Sequence, residues 1–220
     1  MLFDLRGHRR RAVQVIYLLL AILMGGGLVL FGIGGSVSGG LLDAFKGGGG
    51  GGNGNDAIEK RVDRLEKRVA ANPDNTTALQ ALVRDYYGLA TTQQESSSAA
   101  FPDEAKDDLR EAGSAWQRYV NSVEGKPNAG TATFALRVYD VGALNQPKEA
   151  AKAAAIIAEG QNDSSSYLQL VAYASLAKDT RTADLAAQKA VDLAPKDQKK
   201  QVKQQAEQLK KSSQQQQPGS

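Results

Sequence analysis

The chain has no cysteine, one histidine and one tryptophan in its 220 residues. Without cysteine there is no disulfide framework, no thiolate metal site and no thiol nucleophile. The single histidine, His8, lies among arginines at the N-terminal tip, where it reads as part of a positive flank rather than as a base or ligand. No HExxH or histidine-rich pattern exists to hold zinc. The acidic pairs Asp103-Glu104 and Asp107-Asp108 lack the alternating oxygen ligands and central glycine of a calcium loop, and a helix start accounts for such charges. Ser96–Ser98 and Ser164–Ser166 have no histidine after residue 8 to activate them, although a serine–lysine pair stays open on residue types alone. The expectation is a non-enzyme with no cofactor, no metal and no small-molecule substrate. An alternating strand pattern is also missing between residues 56 and 211, which points to an all-α fold.

An excess of charge is missing too, once it is counted by region. The formal net charge is +3, but residues 56–220 carry 22 basic and 22 acidic side chains. The remaining basic residues are Arg6, Arg9, Arg10 and Arg11 at the tip and Lys46 further on. A near-neutral domain offers no electrostatic basis for nucleic-acid binding.

What the sequence does have is a run of 21 uncharged residues, Val13–Ile33, directly after those four arginines. About 20 apolar helical residues span a hydrocarbon core roughly 30 Å thick, so the run predicts a transmembrane helix. Arg6, Arg9, Arg10 and Arg11 form the topology signal that keeps residues 1–12 in the cytoplasm. Everything beyond residue 34 is then extracytoplasmic, placing the protein in the plasma membrane as a single-pass, N-in chain. The rival reading is a cleaved signal peptide, whose apolar core runs about 7–15 residues; Gly35, Ser36 and Ser38 supply small residues for cleavage. No glycine pair four apart lies within the span, so membrane-mediated self-association is not supported. An outer domain without disulfides must hold by packing, and fits a bacterial envelope better than a eukaryotic secretory lumen.

Residues 34–55 form a glycine-rich linker, with GGGGGGNG at 47–54. Such sequences behave as flexible coil and here allow a domain some tens of ångströms of freedom. No Gly-Lys-Ser/Thr follows the run, so a phosphate loop is not indicated. From Asp56 the period becomes helical, with Ile58, Val62, Leu65 and Val69 on one stripe. Helices are then predicted over 77–89, 102–123, 131–144, 147–158, 164–176 and 182–193, four of them closed by Gly125, Asn145, Gly160 and Pro195. Pro102 is read as a first-turn proline. Asn75-Thr76-Thr77 and Asn162-Asp163-Ser164 match a glycosylation sequon but sit where helix caps are wanted. The stops at Pro127, Gln161 and Pro195 are 34 residues apart, while Pro73 to Pro127 is 54 with the polar TTQQESSSAA at 91–100 as the insertion. Two helices per 34 residues is the period of a tetratricopeptide solenoid.

Leu79, Leu82, Val83 and Tyr86 resemble the first-helix motif of tetratricopeptide repeats, which places a large residue, a leucine, a small residue and a tyrosine at that spacing. Tyr167, Leu170, Val171 and Ala174 follow it more loosely, and Ala183, Ala190 and Pro195 fall where the family has small residues and its terminal proline. The 131–160 repeat matches by period and by Ala150 and Ala154, and the family's first-helix Trp and Gly are absent. The resemblance covers residues 56–197. It implies, after the predicted transmembrane helix, an all-α, tetratricopeptide-like α-solenoid of helical hairpins. Beyond it the four-then-three spacing of Val202, Ala206 and Leu209 predicts a capping helix at 198–211, and 212–220 reads as a disordered tail. The layout of tip, span and outer repeat domain is similar to that of the ancillary subunit of the bacterial Sec translocon.

In this family the first helix of each repeat lines a groove. That placement implies a partner-binding groove formed by Gln80, Arg84, Tyr87, Phe134, Val138, Leu168 and Ala172, with ordinary interhelix core as the alternative for each apolar member. Arg84 and Tyr87 are favoured because arginine and tyrosine concentrate at binding hot spots. The remaining positions are apolar or small, so the expected ligand is an apolar helix or segment of a secretion or chaperone component, or this chain's own C-terminal helix. The function expected is a membrane-anchored adaptor accessory to secretion or envelope assembly. The alternative is a self-associating structural envelope protein.

Overall fold

The computed structural model describes residues 54–94 and 100–215. The basic tip, the apolar run and most of the linker lie outside the described residues. Among the described residues the protein is all-helical, with eight α-helices and no strand. They are α1 (Gly54–Ala71), α2 (Thr76–Thr92), α3 (Ala105–Ser122), α4 (Ala129–Tyr139), α5 (Pro147–Gln161), α6 (Ser164–Leu176), α7 (Thr180–Leu193) and α8 (Lys199–Gln215). No helix among them is long and apolar enough to cross a membrane.

Turn chemistry sets where the helices begin. An orphan backbone N–H near a helix start is satisfied by a short side-chain oxygen one turn earlier. Asn75 accepts from the Ala78 N–H at 3.0 Å, Asn128 from Thr131 at 2.9 Å, Asp163 from Ser166 at 2.9 Å and Asp179 from Thr182 at 3.0 Å. Of the two sequon-like triplets, Asn75 is thus a cap, but in the second it is Asp163 that caps α6. Asn162 instead closes α5 in the left-handed conformation, φ 51°, which asparagine tolerates better than most residues. Pro147 stands in the first turn of α5, where its missing N–H costs nothing. Pro102 does not start a helix: residues 102–104 form turns ahead of Ala105, whose N–H bonds to the Pro102 carbonyl at 3.2 Å.

Two expected ends are displaced. The helix predicted over 131–144 stops at Tyr139, because residues 140–146 close a tight loop. The N–H of Asn145 donates to the Asp140 carbonyl at 2.9 Å, and that of Gln146 to the Tyr139 carbonyl at 3.0 Å. Asn145 takes φ 51° there. Val141, inside the predicted helix, is left 57 % exposed in that loop. At the C-terminus α8 continues to Gln215, four residues past the expected end at 211.

The helices pack as successive pairs. α2 lies on α3, α4 on α5 and α6 on α7, with α1 against α2 and α8 against both α6 and α7. α4 touches both helices of the preceding pair, whereas α6 rests on α5 and α8 rather than on α4. Small side chains permit this: the buried residues of α5 are Ala150, Ala151, Ala153, Ala154, Ile157 and Ala158, so α4 and α6 both approach it closely. One continuous apolar cluster runs from Val62 to Ala206. In it Trp116 and Tyr119 stack with centroids 5.6 Å apart, and the buried Tyr119 hydroxyl accepts the Asn128 N–H at 2.8 Å. That bond satisfies a polar group which burial would otherwise penalise.

Candidate partner-binding face

Over the first three turns of α2 burial falls at 78, 79, 82, 83, 85 and 86, and on α4 at 131, 132, 135, 136, 138 and 139. The two patterns coincide under a shift of 53 residues. Leu79, Leu82, Val83 and Tyr86 are therefore matched by Ala132, Ala135, Leu136 and Tyr139, and Arg84 is matched by Arg137. Val138 corresponds to Asp85 and is wholly buried. It is core and offers no surface to a partner, a correction to its place in the predicted groove. The cause is a one-residue register difference from the proline spacing of 54, which rotates a helical position by about 100°.

Four of the seven expected residues come together on the face shared by α2 and α4. Gln80 accepts a hydrogen bond from the Thr131 hydroxyl at 3.3 Å. Tyr87 and Phe134 are half-buried, with ring centroids 6.0 Å apart. Arg84 is 42 % exposed at its side chain and donates to Asp85 at 2.9 Å. The other two sit on α6: Leu168 is 8 % exposed and belongs to the core, while Ala172 is partly exposed. Because α6 rests on α5 and α8, these two do not extend the α2–α4 face. The C-terminal helix packs on α6 and α7 as an end cap, not across α2 and α4.

Three contributors went unread in the sequence. Phe101, in the turn before α3, meets the Tyr87 ring edge-on at 6.1 Å, and its N–H donates to the Gly142 carbonyl at 2.9 Å. That bond anchors the end of the 91–100 insertion to the loop after α4, and the ring completes an aromatic trio of the edge-to-face kind that aromatic quadrupoles favour. Its signal was an aromatic residue placed directly after a polar insertion. Arg137 is exposed on α4. Asp85, whose side chain has no exposed surface, accepts from Arg61 of α1 at 3.0 Å and from Arg84. Beside it the Tyr86 hydroxyl donates to Glu66. Burial together with the Glu66 carboxylate pushes the Tyr86 hydroxyl well above its ordinary range. α1 is thus clasped to α2 by polar contacts as well as by Val62, Leu65 and Val69.

Elsewhere an open cleft of about 330 Å³ lies among Arg110, Gly113, Ser114, Gln117, Tyr139 and Glu149. Three of its polar side chains, Gln117, Tyr139 and Glu149, are already engaged within it. Gln117 donates to Glu149 at 2.8 Å, and Tyr139 donates to the Gly113 carbonyl at 3.1 Å. Among the described residues no group of three or more metal-ligating side chains is placed to hold an ion. Compared with protein families, curated proteins and solved structures, the chain matches none.

Proposed function

We propose that this protein is a membrane-anchored adaptor. In this reading an N-in span at 13–33 holds a tetratricopeptide-like stack of helical hairpins on a glycine tether outside the cytoplasm, and the face shared by α2 and α4 captures a protein segment. The observation that carries the reading is the half-buried trio Tyr87, Phe101 and Phe134, with Arg84 on the same helix as Tyr87 and the exposed Arg137 on the same helix as Phe134. Rigid aromatics bring large contact area at low entropic cost, and arginine joins them at hot spots. The ligand best suited to such a face is an apolar helix or extended segment whose own polar groups meet the two arginines. The tether raises the local concentration of this face for partners in the same membrane, which suits an accessory part in secretion or envelope assembly.

Photo-crosslinking from position 87 or 84 in native membranes tests it. A discrete crosslinked protein is expected, and the Arg84→Ala/Tyr87→Ala double variant should lose partner capture while keeping its helicity. Capture unchanged in that variant would remove the α2–α4 face from the account.

A further inference from the structure

Near-neutrality of residues 56–220 hides a division. Residues 56–195 carry 16 basic and 20 acidic side chains, and residues 196–220 carry six lysines against Asp197 and Glu207. The two parts are therefore charged −4 and +4. At 100° per residue, Lys199, Lys200, Lys203, Lys210 and Lys211 of α8 fall within an arc of about 120°, and Lys196 stands in the turn leading into it. Val202, Ala206 and Leu209 occupy a separate stripe, where Val202 and Ala206 are 8 % and 1 % exposed against the core. Gln201, Gln204, Gln205 and Gln208 fill the rest of the outer surface.

Lys210 is committed, bonding Asp184 of α7 at 2.9 Å and Glu207 at 2.7 Å. Lys196, Lys199, Lys200, Lys203 and Lys211 form no ion pair among the described residues. Five cations are thus held along one edge of the domain with their charge unused. Residues 56–195 carry a net acidic charge, so the α8 edge is the part of the domain whose charge sum favours an anionic surface.

We propose that this lysine stripe docks on anionic phospholipid headgroups. The proposal rests on the membrane-anchored reading. As flexible coil, the 20 glycine-rich residues at 34–53 would reach about 25 Å root-mean-square. On that reading the domain would work beside a bilayer, where anionic headgroups on the facing leaflet attract lysines electrostatically. The apolar stripe of α8 is used up by α6 and α7, so contact is adsorption on the headgroups rather than insertion of an amphipathic helix. Adsorption through α8, at the end of the stack, leaves the α2–α4 face free for a partner.

The full chain in lipid nanodiscs tests this, and its lack of cysteine makes one introduced thiol a unique label. A fluorophore at Gln204→Cys should be quenched by headgroup spin-labelled lipid in discs containing phosphatidylglycerol, but not in discs of phosphatidylcholine alone. The quenching should fall away at high salt and in K200Q/K203Q/K211Q. A fluorophore at Ser114→Cys on α3 should stay unquenched throughout. Equal quenching in neutral discs, equal quenching at Ser114→Cys, or no effect of the lysine replacements overturns the proposal. Co-purification with the discs separately reports the anchor. A chain that stays out of the discs refutes the anchor, and sedimentation with phosphatidylglycerol vesicles then decides the surface. There K200Q/K203Q/K211Q should bind roughly tenfold or more weakly. Absence of vesicle binding, or sedimentation equal for the two proteins, overturns the lipid surface on its own.

Discussion

Asp85 is a charge with no exposed side-chain surface, tolerated because guanidinium groups from two helices reach it. Removing one arginine leaves a buried carboxylate short of a charged donor, whereas removing the carboxylate leaves two arginines that are 34 % and 42 % exposed and able to turn to water. Arg61→Ala should therefore cost about 1–3 kcal/mol. Asp85→Val, which installs the residue that α4 carries at the matching position, should cost less. Urea midpoints in the opposite order would contradict this. Tyr173 gives a pH prediction. Its hydroxyl donates to Asp140 at 3.1 Å, and burial, followed by the Asp140 charge, pushes its pKa from 10.0 up to about 12. The folded state then keeps a proton that the unfolded chain has lost. Stability is accordingly full below pH 10 and falls as pH rises from 10 towards about 12. Tyr173→Phe should flatten that decline, measured as thermal midpoint against pH; an unchanged slope would count against it.

At the scale of the element, helix positions were legible because caps and breakers carry local chemistry. Asn75 reads as a cap from sequence and bonds within one turn. Asn128, Asp163 and Asp179 do the same, signals of equal locality that were taken up in the sequence only as the triplet holding Asp163. What was not legible depended on contacts made across the fold. Val141 continues the apolar spacing of α4, yet the hydrogen bonds of the 140–146 loop end the helix before it. Val138 was misplaced because proline spacing is a poor ruler for register when an insertion intervenes. Phe101 acquires its role only through Gly142, some forty residues away. The lysines of α8 were visible throughout, but a domain-wide charge sum cancelled them. Close helix approach yields a further prediction. A Cβ on Gly160 of α5 would lie 2.7 Å from the Ala129 Cβ of α4, too near for two carbons. Alanine in a helix normally gains about 1 kcal/mol over glycine, but Gly160→Ala should instead lower stability by roughly 1–2 kcal/mol. Adding Ala129→Gly should restore most of the loss; calorimetry on the two variants decides it.

For the whole molecule, three helix pairs stack between α1 and a basic end helix, with an aromatic face on the first two pairs. The proposed action of that face depends on where the domain is held, and the proposed holding point is the 21-residue apolar run behind four arginines. If the run is a span, the domain works at a bilayer on a short leash, and both the partner face and the lysine stripe have a setting. If it is cleaved, the domain diffuses away and neither does. Single cysteines placed at Gly7 and at Gln205 in the full chain, probed in intact bacterial cells with a membrane-impermeant maleimide and followed by fractionation, separate these outcomes directly. The account predicts labelling at position 205, protection at position 7, and a full-length chain that stays with membranes after alkaline extraction. A shortened chain beginning near Ser36 in the soluble fraction, or labelling at position 7 with protection at 205, would contradict it.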